Sequence, residues 1–265
     1  MAIAISAAVL TAPDPAPVQI TITGLTGGDA YTVVGMWDGY EWPVPGGESI
    51  ASTSTVILVD NRAPLNCEVV YQVTVAGDVY TTTPVIVSST YYCVLQSLDG
   101  SIRVGCEVAE PHDQRSGASR TSFFAVDGRT DMPGRFDRGL AARLQLEVEV
   151  GSVASNKALL ELLEQGGAIV RRNDGMVTNR GIPPVEIYGR AGDYGTALLG
   201  AVGTMRRWVV PVQVVGDPEP GVILVAFDWG DVKSVFAGQT WADFKTFFAG
   251  QTWGDVRAFD WGVLL

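Results

Sequence analysis

A series of short runs that alternate apolar and polar residues constrains the fold of this chain more than any other feature. The clearest run is Val18–Thr23, in which a valine and two isoleucines occupy every second position before Gly24. Successive side chains of a strand point to opposite faces, so this alternation is typical of a half-buried strand. Further runs of this kind occupy 2–11, Ala30–Trp37, Thr55–Asp60, 68–76 and 79–87. Turn residues separate them, and no helical periodicity precedes about residue 150, so they predict a β-sandwich.

An aromatic and acidic segment, 38–42, follows one of these runs and predicts a loop. Trp37, Tyr40 and Trp42 would be exposed on it. Flat aromatic rings with a polar edge suit stacking on sugar, so one hypothesis is that these residues contact a host cell-wall glycan. The alternative is that the three aromatics belong to the sandwich core or to a β-turn.

The middle of the chain mixes strands with one helix. Alternation over 140–150 predicts a strand, and Ser155 then has the residue type of a helix N-cap. Four leucines give the helix an apolar face, and Gly166 and Gly167 end it. Three further strands are predicted at 168–171, 183–188 and 205–214. This order predicts a small β-sandwich or barrel with one helix across an open end.

The C-terminal segment contains an internal repeat with a period of 12 residues, marked by Trp229, Trp241 and Trp253. Each tryptophan follows an N-cap residue, and an aspartate three residues after the cap can complete a capping box. A glycine then suits a left-handed helix end. These positions are Asp228, Thr240 and Thr252 for the caps, Asp231, Asp243 and Asp255 for the acids, and Gly238 and Gly250 for the ends.

This repeat predicts two short helices, roughly 229–237 and 241–249, and a frayed third from Trp253. Helices of two turns are unstable alone in water, so their aromatic rings must pack on something. The predicted anchors are Trp229, Phe236, Trp241, Phe248 and Trp253. Two alternatives stay open: the segment folds back over its own domain, or it docks on a neighbouring subunit. A disordered tail is disfavoured by the aromatic content.

Charge and hydropathy exclude several classes of partner. The net charge is −11 and the pI is about 4.5. Nucleic acids and anionic membranes bind basic surfaces, so neither is expected as a partner. No apolar run has the length of a membrane span, and the apolar N-terminus lacks the basic leader of a secretory signal.

The sequence predicts neither catalysis nor a cofactor. Cys67, Cys93 and Cys106 form no CxxC pair and are expected as buried thiols made in a reducing compartment. His112 is the only histidine, which argues against zinc. A triad of His112, Asp113 and Ser116 lacks the strand–turn–helix context of a nucleophile, and 109–133 is predicted to be a solvated or interface loop. We therefore expect a protein that is not an enzyme.

Two resemblances extend this interpretation. Residues 17–88 resemble a fibronectin type III or related immunoglobulin-like domain. The resemblance rests on 20–25, 31–33, 64–66 and 71–75. Residues 90–265 resemble minor tail proteins of long-tailed phages, including distal tail proteins. That resemblance rests on Arg138-Gly139-Leu140, the strand at 144–150, the leucine-rich helix at 155–167 and the strand at 206–214.

The second resemblance also covers the tryptophan repeat, since units similar to Thr240-Trp241-Ala242-Asp243 occur in minor tail proteins of phages of actinobacteria. It implies a mainly β protein with an immunoglobulin-like domain at 1–88, a tail-tube-like β domain with one helix at 89–216 and a helical arm at 217–265. The chain departs from distal tail proteins because its immunoglobulin-like module comes first.

The implied function is that of a structural virion protein, assembled in the host cytoplasm, whose homo-oligomeric ring joins the tail tube to the tail tip. Its implied partners are other copies of itself, the tail tube, the tip or hub and the tape measure protein. A carbohydrate-binding module for the host surface is the alternative.

Overall fold

A computed structural model describes residues 2–11, 14–108, 143–175, 183–199, 203–218, 236–238 and 240–249, together with the backbone of 115–116, 121–123 and 134–136. The chain is mainly β, as predicted. It divides into two compact units. The first contains residues 1–92, 172–185 and 219–265, and the second contains 93–171 and 186–218. The predicted domains were 1–88, 89–216 and 217–265, whereas the first of these two units also contains 172–185 and 219–265.

The first unit contains two antiparallel sheets. One has the order β1-β2-β5, from strands β1 (Ala4–Val9), β2 (Val18–Thr23) and β5 (Thr55–Asp60). The other has the order β4-β3-β6-β7, with β8 also pairing with β6. Its strands are β3 (Ala30–Trp37), β4 (Tyr40–Ile50), β6 (Glu68–Val75), β7 (Asp78–Thr81) and β8 (Val85–Ile86). Alternate residues of β2 and β6 are buried, which is why their sequences alternate.

The second unit contains a closed barrel of six strands in the order β14-β10-β9-β15-β16-β18. Eight residue pairs, from Arg143↔Gln213 to Val150↔Arg206, join β14 to β18 and close it. The barrel strands are β9 (Cys93–Ser97), β10 (Arg103–Val108), β14 (Arg143–Val150), β15 (Ile169–Asn173), β16 (Val185–Arg190) and β18 (Arg206–Val214). The structure thus selects the barrel from the two architectures that the sequence allowed.

Shorter strands accompany the barrel. β11 (Arg115–Ser116) pairs with β14, and β17 (Gly195–Leu198) pairs with the first half of β18. β12 (Thr121–Phe123) and β13 (Gly134–Phe136) form a separate two-stranded ladder. These pieces show that the region predicted as mostly loop contains strands, whereas His112 and Asp113 lie outside the described residues.

The predicted helix is present as α1 (Val153–Glu164), and its buried leucines join the core of the barrel. Its N-cap is Ser152, whose hydroxyl accepts a hydrogen bond from the Ser155 amide at 2.9 Å. The prediction of Ser155 as the cap was therefore wrong by one turn, because two serines three residues apart both fit the cap preference. Gly166 follows the helix with φ +69°, which confirms its predicted role.

Asn156 fixes the first turn of α1 to the barrel. Its Nδ2 donates to the carbonyl oxygens of Ser152 at 2.7 Å and Thr204 at 3.0 Å. Its Oδ1 accepts from Nε1 of Trp208, 2.8 Å away, and the Trp208 side chain is only 4% exposed. The side-chain amide of Asn156 therefore provides the acceptor for the buried N–H of Trp208 and links α1 to β18.

Replacing Asn156 with alanine is expected to lower the free energy of unfolding by about 2–3 kcal/mol, since the buried Trp208 N–H loses its acceptor. Chemical denaturation measures this loss. Lys157→Ala, an exposed change at the next position of the helix, should alter stability by less than about 0.5 kcal/mol. Equal effects of the two substitutions would contradict the role given to Asn156.

Candidate functional site

The described part of the C-terminal repeat forms a capped helical turn. Helix α2 (Trp241–Phe247) begins after Thr240, as predicted. Asp243 Oδ2 accepts from the Thr240 amide at 2.7 Å, and the Thr240 hydroxyl accepts from the Asp243 amide at 3.4 Å. This reciprocal pair is the predicted capping box. Gly238 has φ +80°, as expected for a residue that ends a helix, whereas Gly250 lies outside the described residues.

Aromatic rings cluster around Phe244, which is 5% exposed. Trp241 stacks on it with ring centroids 4.7 Å apart, and Phe248 lies 5.1 Å away. Phe236, from the preceding repeat, contacts Phe244 edge to face at 5.2 Å and Phe247 at 5.7 Å. Contacts at this spacing stabilise aromatic pairs beyond simple burial. Consecutive repeats are therefore joined by their rings.

Two rings of this cluster remain open to solvent. Trp241 is 53% exposed and Phe247 is 47% exposed, whereas Phe248 is buried. Of the predicted anchors, Phe236, Trp241 and Phe248 thus lie together, and Trp229 and Trp253 lie outside the described residues. Phe244 and Phe247 were not among the predicted anchors. Helical spacing could have found Phe244, which lies three residues after Trp241 and four before Phe248.

The capping box makes α2 sensitive to acid. Hydrogen bonds from the Thr240 amide and hydroxyl lower the pKa of Asp243 below its ordinary value of 3.8. A lowered pKa stabilises the folded segment above the ordinary value, and this stabilisation is lost as the pH falls through the lowered pKa.

We therefore expect the Thr240 amide resonance to shift as the pH falls below about 4, in a proton NMR titration. Asp243→Asn cannot ionise, so the same resonance should lack this transition in that variant. A transition of equal size in Asp243→Asn would show that another group causes it.

The aromatic segment after the third strand is a hairpin turn. Asp38 and Gly39 have φ of +45° and +81°, and Trp37 pairs directly with Tyr40 across the turn. An Asp-Gly pair with positive φ matches the twist of two flanking strands, so it joins β3 to β4 tightly. The predicted loop is therefore only two residues long, and Tyr40 to Trp42 are strand residues.

Trp37 and Tyr40 form a nearly parallel, partly buried aromatic pair on this hairpin. Their ring centroids are 6.4 Å apart, and their planes differ by 12°. The outer edge of the Trp37 indole lies beside Gly175, where an added Cβ would come within 3.3 Å of it. The two rings are thus nearly parallel, and each is partly buried at the end of the ladder of β3 and β4.

Trp42 is not part of that pair: of the two alternatives from the sequence, exposure on a loop is wrong for Trp42 and burial in the core is confirmed. Trp42 is 5% exposed, and it lies directly opposite Gly35 in the ladder of β3 and β4, away from the turn at the end of the sheet. Its indole covers Gly35, where a Cβ would collide with the ring. Trp42 is thus a core residue of the first unit.

Trp42 belongs to a buried polar network around Asp60, which is fully buried. Asp60 Oδ2 accepts from Trp42 Nε1 at 3.0 Å and from Tyr71 Oη at 2.8 Å. Asp60 Oδ1 accepts from the Arg62 amide at 2.8 Å. Burial, followed by the charge and hydrogen bond of Asp60, holds the pKa of Tyr71 well above its usual range, with Arg172 opposing the shift. The network therefore satisfies buried polar groups in the core of the first unit and stabilises its fold.

Two strands, β1 and β17, each have an edge on which another chain could pack. β1 lies at the end of its sheet and carries no charge, proline or bulge, the devices that normally prevent edge pairing. All four residues of β17 are exposed, and Leu198 is 49% exposed. The sequence analysis did not identify β17, because Gly195–Leu198 shows no alternation.

No known protein family matches this sequence, and no curated protein is significantly similar to it. Within the described ranges, no group of three or more His, Cys, Asp or Glu side chains could hold a metal ion. Over the same residues, no helix is long and apolar enough to cross a membrane.

Proposed function

We propose that this chain is a structural protein of a phage tail, a distal or minor tail component whose homo-oligomeric ring joins the tail tube to the tip. The closed barrel with α1 in its core is the observation that carries the proposal. The resemblance to tail proteins implies one β domain with one helix, and the barrel is of that kind. The support for a role in a tail is this analogy together with surfaces suited to assembly.

The first unit agrees with an immunoglobulin-like module of fibronectin III type. Its sheets, β1-β2-β5 and β4-β3-β6-β7, divide the strands as such sandwiches do, with the fifth strand returning to the sheet of the first two. Modules of this architecture occur in proteins with many different functions. The strand order therefore supports the proposed immunoglobulin-like fold but does not identify a binding partner.

Assembly would use the exposed apolar groups. Trp241 and Phe247 present two aromatic rings, and aromatic residues are the commonest energetic centres of protein interfaces. The uncharged edge of β1 and the exposed β17 offer backbone groups to a neighbouring subunit. In a ring each copy would present the same surfaces to the next. Other tail proteins, namely the tube, the tip or hub and the tape measure, would contact the two faces of the ring.

Light scattering tests the proposal. The full chain should form a discrete oligomer, and a variant ending at residue 226 should assemble less while keeping its β circular-dichroism signal. A full chain that stays monomeric, both alone and mixed with tail tube and tip proteins, would overturn the ring. An unchanged oligomer in the shortened variant would instead exclude the C-terminal arm as the contact.

A second function is favoured by the stacked pair on the β3–β4 hairpin, namely binding of host surface glycan by Trp37 and Tyr40. Tyr40→Ala should weaken binding of the full chain to host cell-wall polysaccharide by about tenfold, the value of one lost ring contact. Tyr91→Ala, which removes a ring that is 42% exposed elsewhere, is the matched control. Trp42→Ala is unsuitable, because it would damage the core. Absence of binding by the unaltered chain would end this hypothesis.

A further inference from the structure

Two of the three cysteines face each other across the barrel wall. Cys93 on β9 and Cys106 on β10 are directly opposed in the antiparallel ladder. Both are thiols in the core of the barrel, with exposures of 0% and 3%, and each is the hydrogen-bond partner of the other. The odd number of cysteines in the sequence gave no indication of this pairing. Cys67 lies on the other compact unit.

The geometry of this pair is close to that of a disulfide. Opposed residues of an antiparallel ladder have Cα atoms about 4.5–5.5 Å apart, inside the range of about 4.4–6.8 Å found in disulfides. Their Cβ atoms are about 4.5–5.5 Å apart, against about 3.5–4.5 Å in a disulfide. Closing the bond therefore requires a shift of at most about 2 Å, which the Cys side chains and the two strands must share.

The surroundings of the pair include a buried cation. Arg171 is fully buried and lies near enough to Cys93 for their charges to interact. Its Nη1 donates to Tyr188 Oη at 3.3 Å, and Tyr188 in turn donates to Glu186 at 2.7 Å. A thiolate is the attacking species in disulfide formation, and a neighbouring cation stabilises it. The hydrogen bond with Cys93 and burial nevertheless raise the pKa of Cys106 well above its ordinary value, and the charge of Arg171 opposes this shift without reversing it.

We propose that Cys93 and Cys106 are a disulfide-forming pair, a redox modification site that takes a small disulfide such as oxidised glutathione as its oxidant. Both thiols are buried in the barrel core, so the exchange takes place while β9 and β10 are open, either during folding or in a local opening of the native protein. The Cys93 thiolate then attacks one sulfur of glutathione disulfide, breaks the S–S bond and releases one glutathione thiolate. Cys106 then attacks the mixed disulfide and displaces the second glutathione. The protein loses two protons and two electrons, and the oxidant becomes two molecules of reduced glutathione.

The disulfide would join β9 to β10 covalently. A reducing cytoplasm keeps such pairs open, and an oxidising exterior allows them to close. The required movement stores strain, so the bond should be readily reduced again. The pair would then stiffen the barrel only after the protein leaves the reducing compartment. This property does not depend on the proposed role in a tail.

Peptide mapping tests the inference on the full chain. The protein is equilibrated with oxidised glutathione, alkylated, and cleaved by trypsin and by a glutamate-specific protease. Cleavage after Arg103 separates Cys106 from Cys93, and cleavage after Glu68 separates Cys67 from Cys93. We expect two peptides joined by a disulfide between Cys93 and Cys106, which dithiothreitol separates. The mass of the oxidised protein before alkylation should be lower than that of the reduced protein by two hydrogen atoms. The inference would be overturned if Cys93 and Cys106 are both found alkylated, in the native protein and also after refolding in oxidised glutathione.

Thermal unfolding provides the second readout. Oxidation should raise Tm by about 5 °C, since a short closed loop restricts the unfolded chain while strain offsets part of the gain. Cys67→Ala should keep this shift, and Cys93→Ala should lose it. A Tm increase on oxidation that persists in Cys93→Ala would overturn the assignment of the disulfide to Cys93 and Cys106. If that variant does not fold, peptide mapping of the unaltered protein tests the assignment.

Discussion

Replacing Asp60 with alanine is expected to lower the free energy of unfolding of the first unit by about 4 kcal/mol or more. The substitution leaves three buried donors without an acceptor, namely the Trp42 indole, the Tyr71 hydroxyl and the Arg62 amide. Each such group costs about 1–3 kcal/mol when it is buried unpaired. Because domains are stable by only about 5–15 kcal/mol, this single change is expected to bring the first unit close to unfolding.

Urea denaturation, followed by tryptophan fluorescence, measures this loss. Asp29→Ala is the matched control, because the Asp29 carboxylate accepts one hydrogen bond, from the Thr26 amide at an exposed turn. It should cost about 1 kcal/mol or less. A loss below about 1 kcal/mol for Asp60→Ala would mean that water or a rearranged side chain replaces the carboxylate.

If the proposed ring assembles through α2, the double substitution Trp241→Ala and Phe247→Ala is expected to raise the dissociation constant of the proposed oligomer by about 100-fold or more. Interface aromatic residues often contribute about 2 kcal/mol each, and two such losses exceed two decades in affinity. Both rings are about half exposed in the single chain, so their removal leaves the buried Phe244 and Phe248 in place. Sedimentation or light scattering across a dilution series gives the constant.

Tyr91→Ala with Tyr92→Ala removes two exposed rings from another position and is the matched control. Its oligomer should dissociate at the same concentration as that of the unaltered protein. An unchanged dissociation constant in the Trp241 and Phe247 variant would show that α2 packs within its own chain. The open alternative from the sequence would then be decided in favour of a segment folded onto its own domain.

Local periodicity identified most elements of the fold. The strands Val18–Thr23, Ala30–Trp37 and Thr55–Asp60 were predicted with the bounds that the structure gives them. The helix at 153–164 and the cap at Thr240 followed from patterns that depend only on neighbouring residues. Each of these signals reflects which side chains face water along one element.

The candidate surfaces were less predictable, because they depend on which residues a turn places on which face. The Asp38-Gly39 turn carried a recognisable hairpin signal, but the segment was interpreted as a loop. As a result the glycan hypothesis included Trp42, which is buried, and β4 was missed. Gly195–Leu198 gave no signal at all, since an exposed strand beside a barrel needs no alternation.

By itself, the sequence determined a mainly β chain, one internal helix, buried thiols and a capped aromatic repeat, since each is encoded by short-range pattern or composition. Only the tertiary structure decided that β14 and β18 close a barrel, that Asp60 gathers Trp42 and Tyr71, and that Cys93 opposes Cys106. The reason is that strand partners are chosen by packing over long distances in sequence. Many pairings share the same alternation, and only the complete core selects one of them.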